Sequence, residues 1–422
     1  MLRDRFMRLR DKEVKSGVWC VNGIMSIGYG MLQPSVIMAP SVSILPTAAE
    51  EATNGVAKLN IKEQVKQEQQ KQDKGPSYPF YFPYFDVNEK FPPTEIFGMS
   101  SQIPSRRSRS LTHIMILEHT DVGLRADPKK PHLLHEGVTL KHLSPFLGTE
   151  VKGVQLSQLT KEGLDELALY TAERKVLVFR DQDFKDIGPD RQIEIARHFG
   201  PIQRHPTSGN VKGYPEFHVV YRDAENDRFR EYIGGNRVSR TSWHSDVSYE
   251  KQPPSTTFFF ILDLPEVGGD TLFASQVEAY NRLSPAFQQI LHGLRAVHSA
   301  VPQAEFSRKR GGPVRREPVE SVHPLVRVHP VTGEKALYIN QGFTKSIVGL
   351  KEEESDTLLN FLFDHIAKGN DFQVRATYEA ASVIVWDNRV TIHSATGDFD
   401  NKERRHAVRL TPQAEVPVPV KE

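Results

Sequence analysis

Within Trp243-His244-Ser245-Asp246, an imidazole and a carboxylate stand two residues apart. In an extended strand, alternate positions project to one face, so the two side chains converge without help from the rest of the fold. The spacing alone is weak evidence, because the chain carries a second copy, His119-Thr120-Asp121. That copy lies in a Lys- and Pro-rich stretch without strand periodicity and reads as surface loop. His244 and Asp246 instead precede a strong strand pattern, Thr256–Leu264, which offers a rigid location. Two side chains hold a catalytic metal poorly, and the best third candidate is His393. A buried strand pattern, Ser382–Trp386, enters the polar turn Asp387-Asn388-Arg389 and delivers His393 at its far side. Two histidines and a carboxylate on one face of an octahedron leave three positions open, the pattern of non-haem Fe(II) oxygenases. With 16 histidines in the chain, a satisfied structural role for His393 is the plain alternative, and a structural zinc site is another.

Downstream stand Arg404, Arg405 and Arg409. The even spacing of Arg405 and Arg409 puts them on one face of the strand pattern His406–Thr411. Guanidiniums side by side repel unless anions lie between them. Spacing leaves open a surface basic strand paired with Asp398, Asp400 and Glu403.

The elements that must position these groups lie between about Leu134 and Pro412. Thr160 can cap a helix reaching Arg174, with Leu164, Leu167 and Leu169 inward, and Lys175–Arg180 follows as a buried strand. Ile187–Phe199 reads as a second helix; Ser284-Pro285 opens a third, reaching about Leu294. Leu358, Leu359, Leu362, Phe363 and Ile366 line one face of another. Short strands are expected at Phe217–Tyr221, Asp270–Ala274, Lys335–Asn340 and Phe372–Tyr378 as well as those named above. Many short strands with interposed helices imply a β-sandwich or barrel core wearing a helical coat.

The 422 residues suffice for one large domain or two ordinary ones. Lys and Arg number 54 against 53 acids, a net charge of +1, so no global pull toward nucleic acid or anionic membrane is expected. A lone cysteine, Cys20, excludes an intrachain disulfide and Cys-rich zinc modules. No apolar run reaches the roughly 18 residues of a membrane span. Residues 1–117 are expected to be a largely disordered extension with a Ser/Arg-rich island, Gly98–Leu117. Within it the aromatic Ser77–Phe85 lies extended against a domain surface. Residues 118–414 form the domain and 415–422 a tail. Without a convincing targeting signal the expected location is cytoplasmic; assembly into a homo-oligomer is left open.

Together these segments resemble the taurine dioxygenase/TfdA family of Fe(II)- and 2-oxoglutarate-dependent dioxygenases, especially its fungal-type sulfonate branch. The resemblance rests on WHSD, on GGDTLFAS (Gly268–Ser275), on HPLVRVHPVTGEKALYIN (His323–Asn340), and on WDNRVTIH with its RRxxxR tail. It implies a mainly β fold with flanking helices, a double-stranded β-helix or jelly-roll core. It implies His244, Asp246 and His393 as ligands of Fe(II), and Thr271 and Arg405 as the hold on 2-oxoglutarate. Arg409 and His205 would contact a small anionic, sulfonate-like substrate, with O2 as the other reactant. Two positions depart from taurine-specific members: Arg240 stands where they have asparagine, and Ser208 where they have tyrosine. An arginine at 240 would repel an ammonium group, so an amine-free sulfonate is expected. An alkyl sulfate, an aryloxyalkanoate or another small anion is the alternative, and a silent homologue acting as a binding module a further one.

Overall fold

A computed structural model of the chain describes residues 76–91, 116–225, 243–400 and 402–421. Most of the proposed extension, and Arg240, lie outside the described residues.

In chain order the strands are β1 (Thr139–His142), β2 (Thr149–Lys152), β3 (Val176–Phe179), β4 (His218–Arg222), β5 (Thr256–Asp263) and β6 (Thr271–Ser275). There follow β7 (Arg295–Ser299), β8 (Glu320–Pro324), β9 (Val326–Val328), β10 (Lys335–Leu337) and β11 (Thr344–Ile347). The last are β12 (Gln373–Ala376), β13 (Val383–Asp387), β14 (Thr391–Ala395), β15 (Arg405–Leu410) and β16 (Val418–Pro419). A seven-stranded sheet runs β1-β2-β3-β13-β5-β15-β4, and a three-stranded sheet runs β12-β6-β14. Two further three-stranded sheets, β10-β9-β16 and β11-β7-β8, complete the set. The architecture is the mainly β jelly roll with flanking helices that the motifs imply.

Alternation along the central strands shows why the middle of the large sheet is buried on both faces, while its edge strand β1 is exposed. Phe258 and Phe260 of β5, Val383 and Val385 of β13, and Val408 and Leu410 of β15 join one core cluster. On that face they meet the helix Lys161–Arg174, through Leu164 and Leu167, and the helix Pro189–Arg197, through Ile193 and Ile195. The intervening residues Phe259, Ile261, Ile384, Trp386 and Ala407 join a second cluster with Phe273 of β6 and Val374 of β12. That second cluster fills the space between the large sheet and β12-β6-β14. Burying each such Phe stabilises the fold by about 1.5–3 kcal/mol.

Thr160 caps its helix as expected, accepting from the Gly163 amide at 3.2 Å. Leu164 and Leu167 are buried, whereas Leu169 is only half-buried. The segment 76–91 departs from a simple extended strand: Pro79–Tyr81 forms a 3-10 turn, and the Tyr81 ring enters the first core cluster.

Candidate metal centre and cosubstrate pocket

Polar groups gather where β14 leaves the small sheet. His393 sits mid-strand in β14, and His244 pairs with it in a single antiparallel bridge. The His244 amide donates to the His393 carbonyl at 3.0 Å, and the His393 amide returns the bond at 2.8 Å. The imidazoles lie side by side, ring centroids 4.2 Å apart. Asp246 reaches the same point by a turn rather than by a continuing strand, since residues 246–249 bend away. That bend places Val247 at φ +38°, a conformation β-branched residues rarely adopt and one typical of functional sites. The result is three ligand atoms, one each from His244, Asp246 and His393, all within 4.8 Å of one another.

The donor set fits a divalent metal. His393 is 5% exposed, its Nδ1 has no hydrogen-bond partner, and its Nε2 lies 3.6 Å from Asp246 Oδ1. Burial, then the neighbouring His244 and Arg409, pushes its pKa well below the usual histidine value. It is therefore held as the neutral imidazole that metals bind.

A second layer of hydrogen bonds fixes these groups, and the sequence reading did not single it out. Thr257 Oγ1 donates to Asp246 Oδ2 at 3.0 Å. The Asn388 amide oxygen accepts from the Asp246 backbone N–H (3.1 Å) and from the Trp386 indole (3.0 Å). Its nitrogen donates to Thr257 Oγ1 (2.8 Å) and to the Ser255 carbonyl. All four hydrogen-bonding positions of one buried side chain are thus used on the ligand turn and its supports. Behind His244 the backbone of Gly342 comes so close that a Cβ there would lie 3.0 Å from that of His244.

Thr271 and Arg405 form a separate polar end. Register pairs His393 with Phe273 and Ala395 with Thr271, so Thr271 shares the face of His393 two residues further along. Two residues of strand span about 7 Å. The Thr271 hydroxyl is hydrogen-bonded to the Tyr378 hydroxyl. Arg405 donates through Nε to the Gly269 carbonyl at 2.8 Å, and its guanidinium lies 5.7 Å from the ring centres of both Phe259 and Tyr378. Gly268 holds φ +86°, where a Cβ would strike the Asp398 carbonyl at 2.4 Å, and Gly269 holds φ +69°, which together account for the paired glycines. Burial raises the Tyr378 pKa, so its phenol stays protonated as a donor.

Arg409 pairs with His218 across β15 and β4. Its Nη1 lies 2.5 Å from Asp246 Oδ1 and its Nε 2.9 Å from His218 Nδ1. The His205 ring lies against that of His218, centroids 4.3 Å apart and planes tilted by 53°, and its Nδ1 accepts from the Ser208 amide at 3.1 Å. Burial, then Arg409, drives the pKa of both histidines well down. One end of the site therefore presents a guanidinium beside two neutral imidazoles.

The structure thus brings together His244, Asp246, His393, Thr271, Arg405, Arg409 and His205. It rules out the surface basic strand: Arg405 is 6% exposed, and Asp398 pairs with Arg375 instead. The second His-x-Asp needs correction. His119 is half-buried, and Asp121 is not on a surface loop but buried in an ion pair with Arg389, Nη1 to Oδ2 2.5 Å. Arg389 also binds Asp387 at 2.6 Å, and Asp387 accepts from or pairs with His329 at 2.9 Å. Asp121 buttresses the turn before His393 rather than binding metal.

Residues 139–411 match the model of the family described as "Taurine catabolism dioxygenase TauD, TfdA family". The chain is 46% identical over 350 residues to "Alpha-ketoglutarate-dependent dioxygenase cnsM" of Penicillium expansum, covering 82% of this chain and 91% of that one. It is 43% identical over 345 residues to "Alpha-ketoglutarate-dependent sulfonate dioxygenase" of Saccharomyces cerevisiae, covering 81% and 79%. The crystal structure of a taurine dioxygenase from Burkholderia xenovorans superposes with a TM-score of 0.54 at 31% identity, covering 67% and 93%. Among the described residues no helix is long and apolar enough to cross a membrane.

Proposed function

The chain belongs to the TauD, TfdA family of 2-oxoglutarate-dependent dioxygenases, and from that premise we propose that it oxidises an amine-free organosulfonate at the carbon bearing sulfur, yielding aldehyde and sulfite. The observation that carries this reading is Arg409, placed beside the ligand Asp246 and backed by two neutral histidines.

The residues divide the work. His244, Asp246 and His393 would hold Fe(II), while Thr271, Tyr378 and Arg405 would bind the far carboxylate of 2-oxoglutarate about two strand residues away. When bound, iron with 2-oxoglutarate and O2 supplies the oxidising chemistry, with succinate and CO2 as coproducts. Arg409 would take the sulfonate head and thereby fix which C–H lies nearest the centre. A misplacement of about 1 Å can cost around a hundredfold in rate. His205, neutral, would offer its Nε2–H to the substrate, because its Nδ1 already accepts from the Ser208 amide. Arg240, by its charge, would disfavour an ammonium group on the substrate.

The test is a panel of taurine, isethionate, sulfoacetate and hexyl sulfate with 2-oxoglutarate and Fe(II), following O2, succinate and sulfite. Isethionate or sulfoacetate should outpace taurine and release sulfite; faster taurine turnover contradicts the amine-free assignment.

A further inference from the structure

We propose that residues 81–91, upstream of the matched domain, are a strap that positions the loop carrying His205; this rests on the assignment of His205 to the substrate end.

The loop 203–210 has little regular structure of its own, so something else must fix the imidazole. Tyr84 and Asn210 exchange backbone hydrogen bonds at 2.8 and 3.1 Å, pairing the strap with the loop's end. Pro83 and Phe85 press so closely on Gly209 that a Cβ there would lie 2.9 Å from each.

Between strap and loop lies Arg315, with a side chain that is fully buried. Its Nη1 donates to the Ser208 carbonyl at 2.7 Å and to the His205 carbonyl at 3.2 Å. Its amide donates to the Pro206 carbonyl at 2.9 Å. One arginine thereby grips three residues of the loop. A guanidinium so buried needs a counter-charge, and the strap supplies it: Glu89 is ion-paired with Arg315 Nε. The Phe91 amide then donates to the Arg315 carbonyl at 2.7 Å, and Lys90 Nζ to the Val314 carbonyl. The charge of Glu89 is thus transmitted through Arg315 to the backbone that sets the His205 side chain. Glu89 and Arg315 are positioning residues in this scheme.

The test compares full-length wild type, Glu89→Gln and Arg315→Lys, with His205→Ala as reference. Amide hydrogen exchange, followed without added metal or substrate, should accelerate about tenfold at 205–210 in Glu89→Gln. Exchange at 244–246 and 391–395 should not change. With the fastest sulfonate of the panel, Glu89→Gln should raise the sulfonate KM about tenfold, toward the His205→Ala value, and leave the 2-oxoglutarate KM unchanged. Arg315→Lys, which keeps the charge but loses the forked donors, should do the same. Unchanged exchange at 205–210 overturns the proposal. So does acceleration spread over the whole domain, or a loosened loop with an unaltered sulfonate KM while His205→Ala raises it. If His205→Ala itself leaves the KM unchanged while the loop loosens, the substrate assignment fails and the strap's hold on the loop stands.

Discussion

His244 and His393, far apart in sequence, face one another across a reciprocal pair of backbone hydrogen bonds of 3.0 and 2.8 Å. Main-chain pairing thus registers the two residues and brings their rings to 4.2 Å between centroids. A metal held between them would meet a pre-organised pair, and the weak points would be the groups that aim Asp246 rather than the histidines.

Asn388 is the principal such group. Asn388→Ala removes the acceptor for the Asp246 amide and the donor to Thr257 together. Divalent-metal affinity should fall about 10–100-fold, as read by calorimetry, while the circular dichroism spectrum keeps its native form.

Arg405 and Arg409 should separate kinetically. Each loses charge-assisted hydrogen bonds worth about 1.5–3 kcal/mol apiece on truncation to alanine. Arg405→Ala should raise the KM for 2-oxoglutarate roughly a hundredfold. Arg409→Ala should instead cripple turnover of the sulfonate while 2-oxoglutarate still binds. Titrations showing the two effects exchanged would reverse the role assignment.

Tyr378 tests the polar end from its other side. Tyr378→Phe keeps the ring against Phe259 but deletes the hydroxyl that meets Thr271. Loss of one net hydrogen bond, ~1 kcal/mol, predicts a roughly fivefold rise in the 2-oxoglutarate KM. The sulfonate KM should stay as it was, and steady-state kinetics with each varied in turn distinguishes the two.

Acid should destabilise the metal-free protein through buried histidines. Burial depresses His323 and His406 to about 4, from about 6.5 in an unfolded chain. Between those values the unfolded state binds protons that the folded state does not, so stability rises with pH. It is complete above about 6.5, falls as pH drops toward about 4, and falls no further on their account below that. Denaturant midpoints at pH 7 and pH 4.5 should differ, and His406→Gln should shrink the difference; equal midpoints contradict this.

Much of the fold was legible because alternation is a local signal. The expected strand Ser382–Trp386 appears as Val383–Asp387, and Thr256–Leu264 as Thr256–Asp263. Convergence of His244, Asp246 and His393 was readable from spacing and from a polar turn after a buried strand. The route was not: Asp246 arrives through a strained turn at Val247, and nothing in a His-x-Asp spacing encodes that. Tyr378, His218 and Arg315 escaped notice because each acquires its role from a partner distant in sequence, respectively Thr271, Arg409 and Glu89. Asp121 was misplaced for the same reason, since its partner Arg389 lies across the fold.

One titration decides whether His244, Asp246 and His393 share a metal ion. Purified metal-free protein should bind one Mn(II) per chain, used as a redox-stable substitute for Fe(II), and His393→Ala should weaken that binding at least about a hundredfold, whereas His119→Ala should leave it intact. Undiminished affinity in His393→Ala, or an equal loss in His119→Ala, would contradict a metal held between His244, Asp246 and His393.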